Sequence, residues 1–216
     1  MMTLAPEFSG SNVIINELRK NGIIASIGHS EATYDEALHA IEQGATHITH
    51  LFNAMNPLTS REPGIIGAGL FIDECYVELI ADGHHVHKKN ISALMKLHPH
   101  NRICLVTDAI KAMNTDMTSF ETSSGKTIRI HDGRTWGSND SLVGSVLSLN
   151  EAVKNVFEWT NISLNAAIAM ATQNPAEHLG IFPNKGIIQE GSDADMAILN
   201  KDFSIIHTIV AGEMVN

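Results

Sequence analysis

Residues 22–50 read GIIASIGHSEATYDEALHAIEQGATHITH. GIIASIG is short, apolar and rich in β-branched residues, which predicts a buried strand. Glu31 to Gln43 carries small or apolar residues at Ala32, Ala37, Leu38 and Ile41, spaced for one face of a helix, and Gly44 stands as its C-cap. THIT then predicts a second short strand that runs into His50. A strand, a helix and a strand, with both strands apolar along their length, point to a parallel sheet covered by helices.

The pattern continues on both sides. SNVIINELRKN (11–21) predicts a helix stopped at Gly22. After His50 comes LFNAMNPLTSREPGIIGAGL, whose prolines and glycines predict a long functional loop. YVELIAD and RICLVTD read as further strands, with a short helix from Asn90 to Leu97 between them. GKTIRIHDGRTW predicts a β-hairpin turning at Asp132-Gly133. Ser145–Glu158 and Ser163–Thr172 read as helices, followed by a short turn at Pro175–Leu179. Beyond Gly180 the expectation changes to short strands around Gly and Asp turns, with a domain boundary between 1–180 and 181–216. The fold class expected for 1–180 is α/β, part of a (β/α)8 barrel. A whole barrel takes roughly 250 residues, so 216 are expected not to close one.

Composition narrows the function. There are 24 Asp plus Glu against 14 Lys plus Arg, a net charge of -10 with no basic run. That argues against a nucleic-acid partner. MMTLAPEFSG lacks a signal-peptide layout, and no stretch approaches the roughly 20 apolar residues of a membrane span. Cys75 and Cys104 stand apart in apolar surroundings and read as reduced core thiols of a cytoplasmic protein.

Chemistry gathers at strand ends. His29 follows IASIG, His50 follows HIT, His85 follows IADGH's glycine and histidine, and Asp108 follows CLVT. The C-terminal ends of barrel strands share one mouth. Two imidazoles on adjacent strands can hold one divalent metal, and a carboxylate at another end can move protons. A set of hydrogen-bonded structural histidines is the other reading of the same pattern. The remaining histidines, among them His39, His47, His131 and His178, fall on helices, surfaces or hairpins and read as structural. Arg61 lies in a glycine-rich loop, where a guanidinium either grips a phosphate or is an ordinary loop arginine. Asn53 and Ala54 follow His50 closely. Leu142, Val143 and Gly144 precede a helix start, where main-chain groups can meet a ligand.

TLAPE, GHSEAT, THLFNAMNPLTSREPG, ADGHHVH, LVTDA, LVGS, MATQNPAEHLG and KGIIQEGSDAD occur in this order over nearly the whole chain. In these strings the chain resembles the N-acetylglucosamine-6-phosphate deacetylases of the amidohydrolase superfamily, THLFNAM and REPG most specifically. The resemblance implies a partial (β/α)8 barrel with the C-terminal part of a small β-sandwich. It implies His29 and His50 as ligands of one divalent ion, zinc or iron, and Asp108 as acid/base. Asn53, Ala54, Arg61, Asp82, Gly83, His84, His85, Leu142, Val143 and Gly144 would contact a sugar phosphate. It also implies a homodimer.

Three departures accompany the likeness. The family's metal-binding glutamate segment, its first barrel strand and the first half of its sandwich are absent. His84 replaces an aliphatic residue. IKAMNTD follows LVTDA in place of a small glycine-containing loop. The expected activity is hydrolysis of the acetamido group of N-acetylglucosamine 6-phosphate, low or nil for this chain alone. The rival expectations are an amidohydrolase for cyclic amides or ring amines, and a non-catalytic remnant that binds sugar phosphate or pairs with another subunit.

Overall fold

The computed structural model describes residues 1–139 and 141–215. The opening segment alternates strand and helix: β1 (Met2–Leu4), α1 (Ser11–Lys20), β2 (Ala25–Ile27), α2 (Tyr34–Gln43), β3 (Ala45–Ile48), α3 (Gly64–Phe71), β4 (Tyr76–Leu79), α4 (Lys88–Leu97) and β5 (Ile103–Leu105). The five strands form one sheet in sequential order, each parallel to the next. This is an α/β fold with the strand order of part of a (β/α)8 barrel.

The strands are short and buried. Ile27, Ile48, Val77, Leu79 and Ile103 are fully inaccessible and pack with Ile15, Leu51, Ile91 and Leu94. Each such side chain contributes about 1.5–3 kcal/mol by leaving water. α2 begins later than its apolar spacing suggests, at Tyr34. Thr33 is its N-cap, and Thr33 and Glu36 bond each other's main-chain N–H as a capping box.

The 51–70 stretch is not loop throughout. Gly64–Phe71 is helical, and seven of its eight residues are buried. Its apolar character all round suits a helix covered on every side. Glycine here serves contact: a Cβ on Gly69 would lie 2.5 Å from Leu51 Cδ1. The composition that looked like loop is the composition of close helix packing.

Next come β6 (Ser119–Glu121), β7 (Thr127–His131) and β8 (Arg134–Trp136), an antiparallel sheet containing the expected hairpin turn. α5 (Leu149–Trp159), α6 (Leu164–Ala169) and α7 (Gln173–His178) follow. Two corrections arise there. The helix expected from Ser145 starts at Leu149, because Ser145 is tied to the loop after β5 by main-chain bonds with Asp108 and Ile110. The turn expected at Pro175 is the body of α7, Pro175 standing in the first turn where its missing N–H does no harm.

β9 (Met196–Leu199), β10 (Ile205–Val210) and β11 (Glu213–Met214) close the chain as a three-stranded antiparallel sheet in the order β11-β10-β9. Ile198, Ile205, Ile206, Val210 and Met214 are exposed on it. Both cysteines are free and buried, and burial pushes each thiol up to about 12. Among the described residues, no helix is long and apolar enough to cross a membrane.

Candidate functional site

The parallel sheet delivers its polar residues to one edge. Glu7 follows β1, His29 follows β2, His50 follows β3, Asp82 and His85 follow β4, and Asp108 follows β5. Each chain leaves the sheet by an abrupt turn. His29 (φ 49°), His50 (φ 32°) and Asp108 (φ 48°) are all left-handed there. That conformation is unusual for residues other than glycine and marks positions where surrounding structure holds the chain against strain.

The bracing is visible. The Glu7 carboxylate accepts hydrogen bonds from Ser30 Oγ at 2.5 Å and the Glu31 N–H at 2.9 Å, just beyond His29. Glu78, on β4, accepts from the His50 N–H at 3.2 Å. Ser145 donates its N–H to the Asp108 carbonyl at 2.8 Å. Below the turns, Thr3, Ser26 and Thr49 form a row of hydroxyls across the first three strands, 3.0 and 2.6 Å apart.

These turns bring two imidazoles together. The Nε2 atoms of His29 and His50 are 2.9 Å apart, their rings nearly perpendicular. His50 is buried and His29 exposed, so the pair opens to solvent from one side. Two nitrogens bound to one zinc at about 2.0–2.1 Å stand roughly 3 Å apart, so this spacing suits a shared ion. His50 Nδ1 is buried without a hydrogen-bond partner among the described residues. The pair therefore fits a divalent ion as two of its ligands. Among the described residues, no group of three or more His, Cys, Asp or Glu is placed to hold a metal.

The other expected residues fall into neighbouring groups. Asn53 Nδ2 donates to the carbonyls of His50 and Leu51, and the Ala54 carbonyl accepts from the Ser30 N–H at 3.1 Å. Both therefore border the imidazole pair. Asp82 Oδ2 accepts from His85 Nδ1 at 2.6 Å, and Oδ1 accepts from the N–H groups of His84 and His85. Burial works against the Asp82 charge, but these bonds outweigh it and hold the carboxyl below its ordinary range. With Nδ1 donating, His85 Nε2 makes no hydrogen bond among the described residues.

Gly83 packs toward Trp159, where an added Cβ would be 3.0 Å from the indole. His84 Nδ1 accepts from Arg134 Nε at 3.0 Å, so the β7–β8 hairpin leans its end onto the loop after β4. Gly144 lies against Asp108, a Cβ there being 2.9 Å from the Asp108 carbonyl. The Val143 N–H bonds to Thr135 on β8, and Leu142 bridges to Trp136.

Asp108 and Arg61, like residues 82–85 and 142–144, are not joined to the pair by any hydrogen bond or ion pair among the described residues. Asp108 shares the sheet edge but stands two strands along from His50 and is exposed. Arg61 is exposed in the Thr59–Glu62 turn. Glu78 went unnoticed in the sequence. Its signal was a single carboxylate inside an otherwise apolar strand.

The profile of the Amidohydrolase family matches residues 13–215. The N-acetylglucosamine-6-phosphate deacetylase of Vibrio furnissii is 39% identical over 215 residues, which are 99% of this chain and 53% of that protein. The N-acetylgalactosamine-6-phosphate deacetylase of Shewanella sp. (strain ANA-3) is 39% identical over 216 residues, 100% of this chain and 54% of that protein. The crystal structure of N-acetylglucosamine-6-phosphate deacetylase from Pasteurella multocida superposes with a TM-score of 0.92 at 38% identity, over 98% of this chain and 55% of that one. The chain thus spans about half the length of the curated relatives it matches.

Proposed function

The chain belongs to the amidohydrolase family, and on that premise we propose that its site serves hydrolysis of the acetamido group of N-acetylglucosamine 6-phosphate to glucosamine 6-phosphate and acetate. The observation that carries this reading is the meeting of the His29 and His50 Nε2 atoms at the mouth of the parallel sheet. The likeness to deacetylases of amino-sugar 6-phosphates supplies the substrate class.

In this reading His29 and His50 hold one divalent ion, zinc or iron. Such an ion supplies polarisation of the amide carbonyl and a more acidic water. Asp108 accepts the proton of the attacking water and passes it to the departing amine. His85, oriented by Asp82, presents Nε2 to the sugar. Asn53 and Ala54 line the wall beside the pair, and Leu142, Val143 and Gly144 line the side next to Asp108. Arg61 grips the 6-phosphate, so that remote binding energy positions the amide. The protein acts in the cytoplasm, in keeping with two free, buried cysteines. It assembles as a homodimer, for which the exposed isoleucines of the last sheet provide apolar surface.

Calorimetry with added zinc tests the reading on the 216-residue chain. N-Acetylglucosamine 6-phosphate is expected to bind more tightly than N-acetylglucosamine, and Arg61→Ala to remove the difference. Equal affinities in the parent would overturn the assignment. Acetate release is expected to be slow, because catalytic zinc usually has three protein ligands. The Shewanella relative supports a second reading, the galacto epimer as substrate, and that sugar belongs in the same panel.

A further inference from the structure

His50 presents its imidazole from a left-handed turn, φ 32°. Something must fix that turn, because a histidine there would otherwise relax to an ordinary conformation and carry its ring away. Glu78 supplies two bonds. Its carbonyl accepts from the Leu51 N–H at 2.9 Å, and its carboxylate Oε2 accepts from the His50 N–H at 3.2 Å. The first is a main-chain contact that any residue could make. The second depends on a side chain of this length.

The carboxylate is itself held. Oε1 lies 3.0 Å from Nε2 of His47, and the side chains of Glu78 and His47 are only 13% and 3% exposed. His47 in turn stacks on His178, which stacks on Tyr76. A buried carboxylate in an apolar strand is costly unless it is paired or hydrogen-bonded. Here one oxygen is anchored below and the other reaches up to the turn that carries His50.

We infer that Glu78 is a positioning residue for His50, fixing through its main-chain N–H the direction in which that imidazole meets His29. This rests on the proposed metal role of the pair. It does not require Glu78 to touch the ion or the substrate.

Cobalt(II) titration of the full chain tests it, read by affinity and by the visible bands of the bound ion, which report ligand geometry. Two variants separate reach from charge. Glu78→Gln keeps an acceptor oxygen at the same distance and loses the charge. Glu78→Asp keeps the charge and draws the oxygens back by one methylene.

Removing an outer partner of a metal ligand weakens metal affinity by about 10–100-fold. Glu78→Asp is expected to show that loss with altered bands. Glu78→Gln is expected to stay close to the parent in both. The reverse order would overturn the inference, showing that charge and not reach matters. So would parent-like affinity and bands in both variants. A purely structural role would lower the urea midpoint and leave the bands of the folded protein unmoved, which also overturns it. Failure of the underlying metal reading looks different: the parent binds no cobalt, or His50→Ala keeps it.

Discussion

Gly28→Ala probes how closely the first three strands must approach to form the site. Gly28 lies between the buried Ile27 and the exposed His29, and its backbone is not left-handed, so alanine meets no torsional objection. The objection is steric. An added Cβ would be 2.8 Å from Thr49 Cβ and 3.0 Å from Thr3 Cγ2, where ordinary contact begins at 3.4 Å. Relief needs displacements of 3.4 − 2.8 = 0.6 Å on one side and 3.4 − 3.0 = 0.4 Å on the other. Thr49 yields poorly, because its hydroxyl bonds Ser26 at 2.6 Å and Thr3 at 3.0 Å and its clashing atom is Cβ.

Overpacking of this kind costs about 1–3 kcal/mol. Alanine returns about 0.4–1 kcal/mol by restricting the unfolded chain. The net loss is about 1–2 kcal/mol, which at a urea slope of about 2 kcal/mol per molar lowers the midpoint by about 0.5–1 M. The same wedge separates the strands that carry His29 and His50, and a constellation tolerates only about 0.5 Å of displacement. Cobalt affinity is therefore expected to fall together with stability. A Gly28→Ala protein with the parent's urea midpoint and the parent's cobalt affinity would refute the reasoning.

Two further outcomes follow from buried polar groups. Burial pushes the His178 imidazole from 6.5 down to about 4, with His47 and Arg102 acting in the same direction. Between those values the unfolded chain binds the extra proton, so this contribution is whole above about pH 6.5 and is lost as pH falls toward 4. The ring is only half-buried, so solvent screening reduces the effect to about 1–2 kcal/mol. His178→Phe should shrink the fall in urea stability between pH 7 and about 4.5 by that amount, and an unchanged fall would contradict the assignment. Asn174 is 2% exposed and its Nδ2 donates to the carbonyls of His100 and Ile103, both at 2.7 Å. Asn174→Ala removes both bonds, the His100 carbonyl keeping its bond from the Ile103 N–H, and should destabilise by about 1–3 kcal/mol in urea titration; a neutral result would show that water replaces the amide.

Much of this was legible before any coordinates. The alternation of GIIASIG, the helix expected over 31–43 and THIT announces parallel strands, because side chains buried on both faces leave continuous apolar runs. The same logic brings residues 29, 50, 85 and 108 to one edge. What the sequence concealed depends on tertiary contact. A glycine-rich segment reads as loop unless one knows that Leu51 and Ile48 wait beside it to receive α3. The start of α5 depends on Ser145 being bound to Asp108, a partner distant in the chain. Glu78 looks like an interruption of a strand until His47 and His50 are seen on either side of its carboxylate. Asp108 was legible from its place at a strand end, whereas Arg61 reads locally as either a phosphate grip or an ordinary loop arginine, and only the resemblance chooses between them.

The three left-handed turns at His29, His50 and Asp108 set stability and chemistry against each other. Glycine would relax each of them at no steric penalty. A library screened only for heat resistance should thus drift toward glycine at positions 29, 50 and 108, and the sturdier survivors would be the ones stripped of the side chains proposed for ion and proton chemistry.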